Sequence, residues 1–231
     1  MVMLSRWRVA AGVACLVVAP VGQLVQFLVS PMKEADSAAD QVAAAAAHLP
    51  AMRVALVLDL PILLLLPAVL YAGFVAGAGR SRLAAAGTAV TFTTALGAGY
   101  LLAQDVVVYA AARQPDRGAA AGLVAGFEGN AVVGGLVVAY LLGHLVGFVL
   151  LGVALARSRA VPVWAGVALC VWPVAEMVGE AGRVAVVAVG GFALLVIGFG
   201  ACAAGLVRAG RSPDRAGRIS GPAGVATHAI A

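Results

Sequence analysis

VALVLDLPILLLLPAVLYAGFVAGAG, residues 54–79, lies between Arg53 and Arg80 and carries a single charge, Asp59. An α-helix needs about 20 predominantly apolar residues to cross the hydrocarbon core of a bilayer, and a longer run crosses with tilt. Exposed to water, an apolar surface of this size would aggregate. The run is therefore read as a membrane span.

The rest of the chain repeats the pattern. Six stretches qualify as spans, at 9–30, 51–79, 83–112, 131–156, 161–179 and 184–207. Hydrophobic residues make up 63% of the 231 and charged residues 11%, against about a quarter charged in a soluble domain. Mean hydropathy is +1.05. The expected fold is an all-α, six-helix transmembrane bundle forming one domain, 1–208, with a disordered cytoplasmic tail at 209–231.

Arginine placement sets the orientation. Arg6, Arg8, Arg80, Arg82, Arg157, Arg159, Arg208, Arg211, Arg215 and Arg218 fall on one side, ten of the 15 basic residues. Basic residues collect in the cytoplasm, so both termini are expected inside, in the plasma membrane. Nine of the ten acids lie outside or in outer membrane halves, Asp214 being the exception. The net charge of +5 is thus an orientation signal, and no basic stripe with interleaved aromatics suggests nucleic acid. The first span has a basic start and an apolar run like a signal peptide, but it continues past Cys15 to Val29 and is read as uncleaved. Cys15, Cys170 and Cys202 sit on three spans without metal-type spacing and read as packing residues.

Two connections exceed turns. Residues 31–50, PMKEADSAADQVAAAAAHLP, have an Ala-rich middle, and Ser37 with Asp40 three residues on resembles a helix start. A short extracytoplasmic helix between spans 1 and 2 is expected there. Residues 113–130, rich in glycine, read as a partly helical outer loop.

Polar groups within spans carry the functional signal, because an Asp at mid-membrane costs roughly 2.5–3.5 kcal/mol on insertion scales and is normally turned inward. Asp59 precedes Pro61 by two, and that proline removes the helix bond to the Val57 carbonyl, leaving a carboxylate beside a freed acceptor. Gln104 and Asp105 lie near the outer end of span 3, and Thr91, Thr94, Ala98, Asp105 and Tyr109 fall near one helical face. His144, mid-depth in span 4, shares a face with Tyr140 and Gly147. Span 5 closes on WPVAEMVGEAGR, residues 172–183. There Glu176 is a candidate site residue, Glu180 and Arg183 read as an interfacial ion pair, and Trp172 as an aromatic anchor. Gln23 and Gln26 complete the set from span 1. Gly143 with Gly147, and Gly73 with Gly77, form small-residue pairs suited to close helix packing.

Asp59, Asp105, His144, Glu176, Gln23, Gln26 and Tyr140 are thus expected to line one outward-open acidic pocket, with His144 at its floor and apolar packing below. Such a pocket would bind or transport a small solute, a cation or a proton. Two other readings use the same residues. In an accessory or scaffold subunit they are interhelical glue, and small-residue faces pack a membrane-protein partner or a second copy. In an intramembrane enzyme acting on a lipid or isoprenoid they are general acid and base. HExxH, Walker, GxSxG and CxxC motifs are absent from the sequence, no metal or cofactor set is expected, and no span is visibly broken. Beyond the bilayer, no partner is identified by any motif.

The phrases AAHLPAMR, LLLLPAVLYAG, LLGHLVGFVLLGVALARSRAVPVWAGVAL and GFALLVIGFGACAAGL resemble a group of multi-pass membrane proteins of high-GC Gram-positive bacteria. The likeness covers most of residues 5–208. It implies the span layout and carries over no functional residue.

Overall fold

The structure is a computed structural model that describes residues 5–77 and 81–211. They form helices α1 (Arg6–Val29), α2 (Ala38–Ala47), α3 (Leu49–Asp59), α4 (Leu65–Ala76), α5 (Arg82–Ala95), α6 (Ala98–Ala112), α7 (Arg117–Glu128), α8 (Ala131–Ser158), α9 (Val163–Ala181) and α10 (Ala185–Arg211), with a 3-10 segment, Leu60–Leu64, between α3 and α4. No strand occurs among the described residues. Six helical stretches are long and apolar enough to cross a membrane: α1, α3 through α4, α5 through α6, α8, α9 and α10.

Helix starts follow local chemistry. The side chains of Ser5, Ser37, Ser81, Asp116 and Asn130 each accept a backbone N–H in the first turn that follows, satisfying donors that have no intrahelical partner. The expected start at Ser37 is present, and α2 lies where the short helix was expected. The second connection, expected to be partly helical, carries α7 over Arg117–Glu128. The α10 helix extends to Arg211, over the first residues of the tail expected from 209. The remainder of that tail, like the end of span 2 at Gly79, lies outside the described residues.

Each span packs on the next and α10 closes on α1, giving a ring of six. A Cβ added at Gly12 would meet Leu206, and one at Gly210 would meet Val9 at 3.0 Å. The start of α1 and the end of α10 therefore sit at one end of the bundle. The opposite end carries α2 and α7, which bury Val42, Ala45, Val108, Ala120 and Val124 with Met52 in a small core of their own. The main core fills the terminal half with Leu16, Leu65, Val69, Phe148, Leu151, Leu155, Leu169, Phe199 and Leu206.

A threonine row sets the closest helix contacts. Thr88, Thr91 and Thr94 of α5 project at Gly73, Gly147 and Gly143 respectively. Their hydroxyls donate to carbonyls of their own helix, Thr88 to Ala84 (2.7 Å), Thr91 to Gly87 (2.7 Å) and Thr94 to Val90 (2.9 Å). Thr88 and Thr91 turn the hydroxyl oxygen toward the facing glycine, and Thr94 turns its methyl carbon. The Gly143–Gly147 pair packs as expected. Gly77 does not pack: with φ +81 it caps α4 in the left-handed conformation and nothing lies within 4 Å of its Cβ position. Only glycine adopts that conformation without a Cβ penalty.

Two spans are interrupted, contrary to the expectation of unbroken helices. Span 2 tightens to 3-10 geometry over Leu60–Leu64, where Pro61 lacks an N–H. Span 3 breaks between α5 and α6, where Gly97 N–H donates to Thr94 and Tyr100 N–H to Gly97. Below that break α5 packs on α8; above it α6 packs on α2, α3 and α7. The stripe from Thr91 to Tyr109 is therefore split over two helices.

Candidate functional site

The change of partner between α5 and α6 opens a cavity of about 820 Å³ in the half of the bundle away from the termini. Gln23 and Gln26 from α1, Asp59 from the end of α3, Asp105 from α6, Tyr140 from α8 and Glu176 from α9 all line it. Six of the ten acidic residues in the chain face this one space, Glu34, Asp59, Asp105, Glu128, Glu176 and Glu180, against two basic residues, Lys33 and Arg183. Apolar walls come from Phe27, Ile62, Leu101, Val137, Leu141, Met177 and Phe192.

Asp59 is the most enclosed of the carboxyls, with 6% of its surface exposed. It neighbours Asp105 and Gln26, and the Gln26 amide donates to Asp105 Oδ2 at 3.2 Å. Oδ2 of Asp59 is buried and has no hydrogen-bond partner. Sequence reasoning placed this carboxylate beside a freed Val57 carbonyl. The structure differs: Leu60 N–H donates to Val57 O, because the 3-10 turn supplies a bond one residue earlier than an α-helix would. What the turn does instead is align side chains, since residues three apart eclipse in 3-10 geometry. Ile62 therefore lines the cavity directly below Asp59.

His144 is 2% exposed and sits behind the cavity wall. Its Nε2 lies 3.6 Å from Glu176 Oε2, an ion-pair distance too long for a hydrogen bond. Its ring packs against Tyr140 at 5.1 Å, Phe148 at 5.0 Å and Trp172 at 4.5 Å between centroids. Trp172 is therefore a buried core residue, 3% exposed, and not the interfacial anchor its sequence position suggested. Beneath this aromatic group the core is apolar apart from Thr88 and Thr91, whose hydroxyls are already bonded.

Three contacts were not foreseen. Arg183 pairs with Asp36 from the α1–α2 connection, and not with Glu180; both Arg183 and Glu180 line the cavity. Glu128 of α7 accepts from Gln104 (2.8 Å) and Gln41 (3.1 Å). Tyr100 stacks on Phe127 with centroids 5.8 Å apart. These last two tie α7 to α6 and α2. Among the described residues no group of three or more His, Cys, Asp or Glu is placed to hold a metal ion. Cys15, Cys170 and Cys202 are free thiols. Comparison with family models, curated proteins and solved structures returned no match.

Proposed function

We propose that the chain is a plasma-membrane protein with both termini in the cytoplasm, whose cavity faces outward and binds, or carries across the bilayer, a small solute, a cation or a proton. The observation that supports this most directly is Asp59. Its carboxyl is 6% exposed, with Oδ2 unpartnered, in a wall it shares with five other acids. A buried carboxylate needs a counter-charge, a proton or a full set of donors. Gln26 supplies one amide to the Asp59–Asp105 pair, and Arg183 is engaged by Asp36. A cation or proton between the two aspartates supplies what is missing. The interrupted spans 2 and 3 favour movement of the ligand, since transporter sites form where membrane helices are discontinuous. The orientation rests on the arginines gathered at the terminal end.

The test uses the full chain in lipid nanodiscs, heated with Na⁺, K⁺, Mg²⁺, Ca²⁺ or a protonated amine at matched chloride. A ligand at 100 times its Kd adds about 2.7 kcal/mol to stability, so at least one cation should raise Tm. Asp59→Asn should abolish that rise while expressing and eluting as the wild type does. A wild-type protein that no cation stabilises removes the reading. If Asp59→Asn also lowers abundance, the acids are structural and the chain is an accessory subunit.

A further inference from the structure

The cavity has two features that a site for a bare ion does not need. It is about 820 Å³, within the 300–1,000 Å³ typical of sites for drug-sized organic ligands. A hard metal cation is held by six or more converging oxygens at short range, and among the described residues no such acid cluster forms. The acids instead come from five parts of the chain, with only Asp59 and Asp105 drawn together beside Gln26, and apolar side chains share the wall with them.

We infer that the ligand is an organic ammonium ion with an apolar body, its N–H groups at Asp59 and Asp105 and its body on Ile62, Phe27 and Phe192. The inference rests on the cation-binding reading above and names the class of cation. Ile62 stands one 3-10 turn below Asp59, so a group attached to a nitrogen at Asp59 meets a hydrocarbon surface immediately. Phe27 and Phe192 pack together, rings 5.2 Å apart and tilted by 37°, and both face the same cavity. Gln26 lies one residue before Phe27 and donates to Asp105, which fixes the aromatic wall relative to the carboxyl pair. Oδ2 of Asp59 is an acceptor without a donor. A protonated amine offers N–H donors to it; a quaternary ammonium carries the same charge and offers none.

Binding to the full chain in nanodiscs is measured by equilibrium dialysis at pH 7, with empty nanodiscs subtracted. The probes are 2-phenylethylammonium, 2-phenylethanol, trimethyl(2-phenylethyl)ammonium, methylammonium, Na⁺ and Ca²⁺. 2-Phenylethylammonium should bind saturably. The alcohol (no charge), the quaternary ion (no donor) and methylammonium (no body) should each bind at least about tenfold more weakly, the scale of one lost charge-assisted hydrogen bond or buried ring. Asp59→Asn should lose about tenfold or more for 2-phenylethylammonium. Equal binding of the amine and any of the three analogues overturns the inference. If Na⁺ or Ca²⁺ binds in a manner that depends on Asp59 and 2-phenylethylammonium does not compete, the inference falls and the cation site stands. If no cation binds, both fall.

Discussion

A methyl group added at Gly87 meets the Leu151 backbone nitrogen at 2.6 Å and the Leu150 carbonyl carbon at 2.9 Å; one added at Gly122 or Gly190 meets nothing within 4 Å. Backbone cannot swing aside as a side-chain tip can. Gly87→Ala should therefore destabilise by about 1–3 kcal/mol through overpacking. Gly122→Ala and Gly190→Ala should be neutral or gain up to about 1 kcal/mol from helix propensity. Thermal unfolding followed by circular dichroism in one detergent compares the three, and equal Tm values would remove the close α5–α8 contact. Thr88→Val should be nearly neutral, within about 1 kcal/mol, because the hydroxyl bonds only its own helix; a fall in Tm like that of Gly87→Ala would show that the hydroxyl matters across the interface. The cavity residues are legible in the sequence for a related reason. An isolated Asp, Glu or Gln in hydrocarbon is costly, so Asp59, Asp105, Glu176, Gln23 and Gln26 had to turn inward. Glu128 and Gln41 gave no such signal. They lie at the end of the bundle, where a polar residue carries no penalty and its presence predicts nothing.

Helices were easier to place than their interruptions. The starts are written in capping residues, and Ser37 marks α2 without ambiguity. The break in span 2 had a visible cause in Pro61, yet Pro20 and Pro173 lie inside helices that continue through them. Proline alone does not decide between a kink and a break; the neighbours that satisfy the freed groups do. Gly22 packs against Pro61, its Cβ position 2.6 Å from the proline Cβ, so α1 and the 3-10 segment are fitted to one another. The break in span 3 falls at Leu96-Gly97, an ordinary pair in a membrane helix. Amides at 60–64 and 96–100 should exchange with deuterium faster than those of α8 and α10, because turns bonded three residues apart open more easily than long packed helices. Hydrogen-exchange mass spectrometry in nanodiscs resolves this. Uniform protection along spans 2 and 3 would contradict the interruptions.

The whole molecule is a closed ring whose two halves differ in content. The half holding the start of α1 and the end of α10 is filled with aliphatic and aromatic carbon, and the other half holds the cavity and its acids. Nothing in the sequence states the ring order, but six antiparallel spans, three of whose five connections are short, leave few alternatives. The arginine distribution predicts which half faces the cytoplasm. Cysteine placed at Asp116, before α7, should react with a membrane-impermeant maleimide on intact cells. Cysteine placed at Ser158, at the end of α8, should react only after permeabilisation. The reverse pattern would turn the cavity toward the cytoplasm and exclude uptake from outside.

The Arg183–Asp36 pair joins the α9–α10 turn to the α1–α2 connection beside the cavity, which Arg183 lines, with side chains 58% and 53% exposed. An exposed pair contributes about 0–1 kcal/mol, which shifts an open–closed balance by up to about fivefold. Dissolved salt screens such charges over a Debye length of about 8 Å at 0.15 M. Ionic strength should therefore act on the ligand twice. On the cation-binding reading, it weakens the pull of the acidic interior, lowering affinity, and it loosens this exposed pair beside the cavity, hastening exit. Asp36→Asn removes only the second effect. In stopped-flow release, its exit rate should start higher than that of the wild type and climb less steeply as sodium chloride is raised.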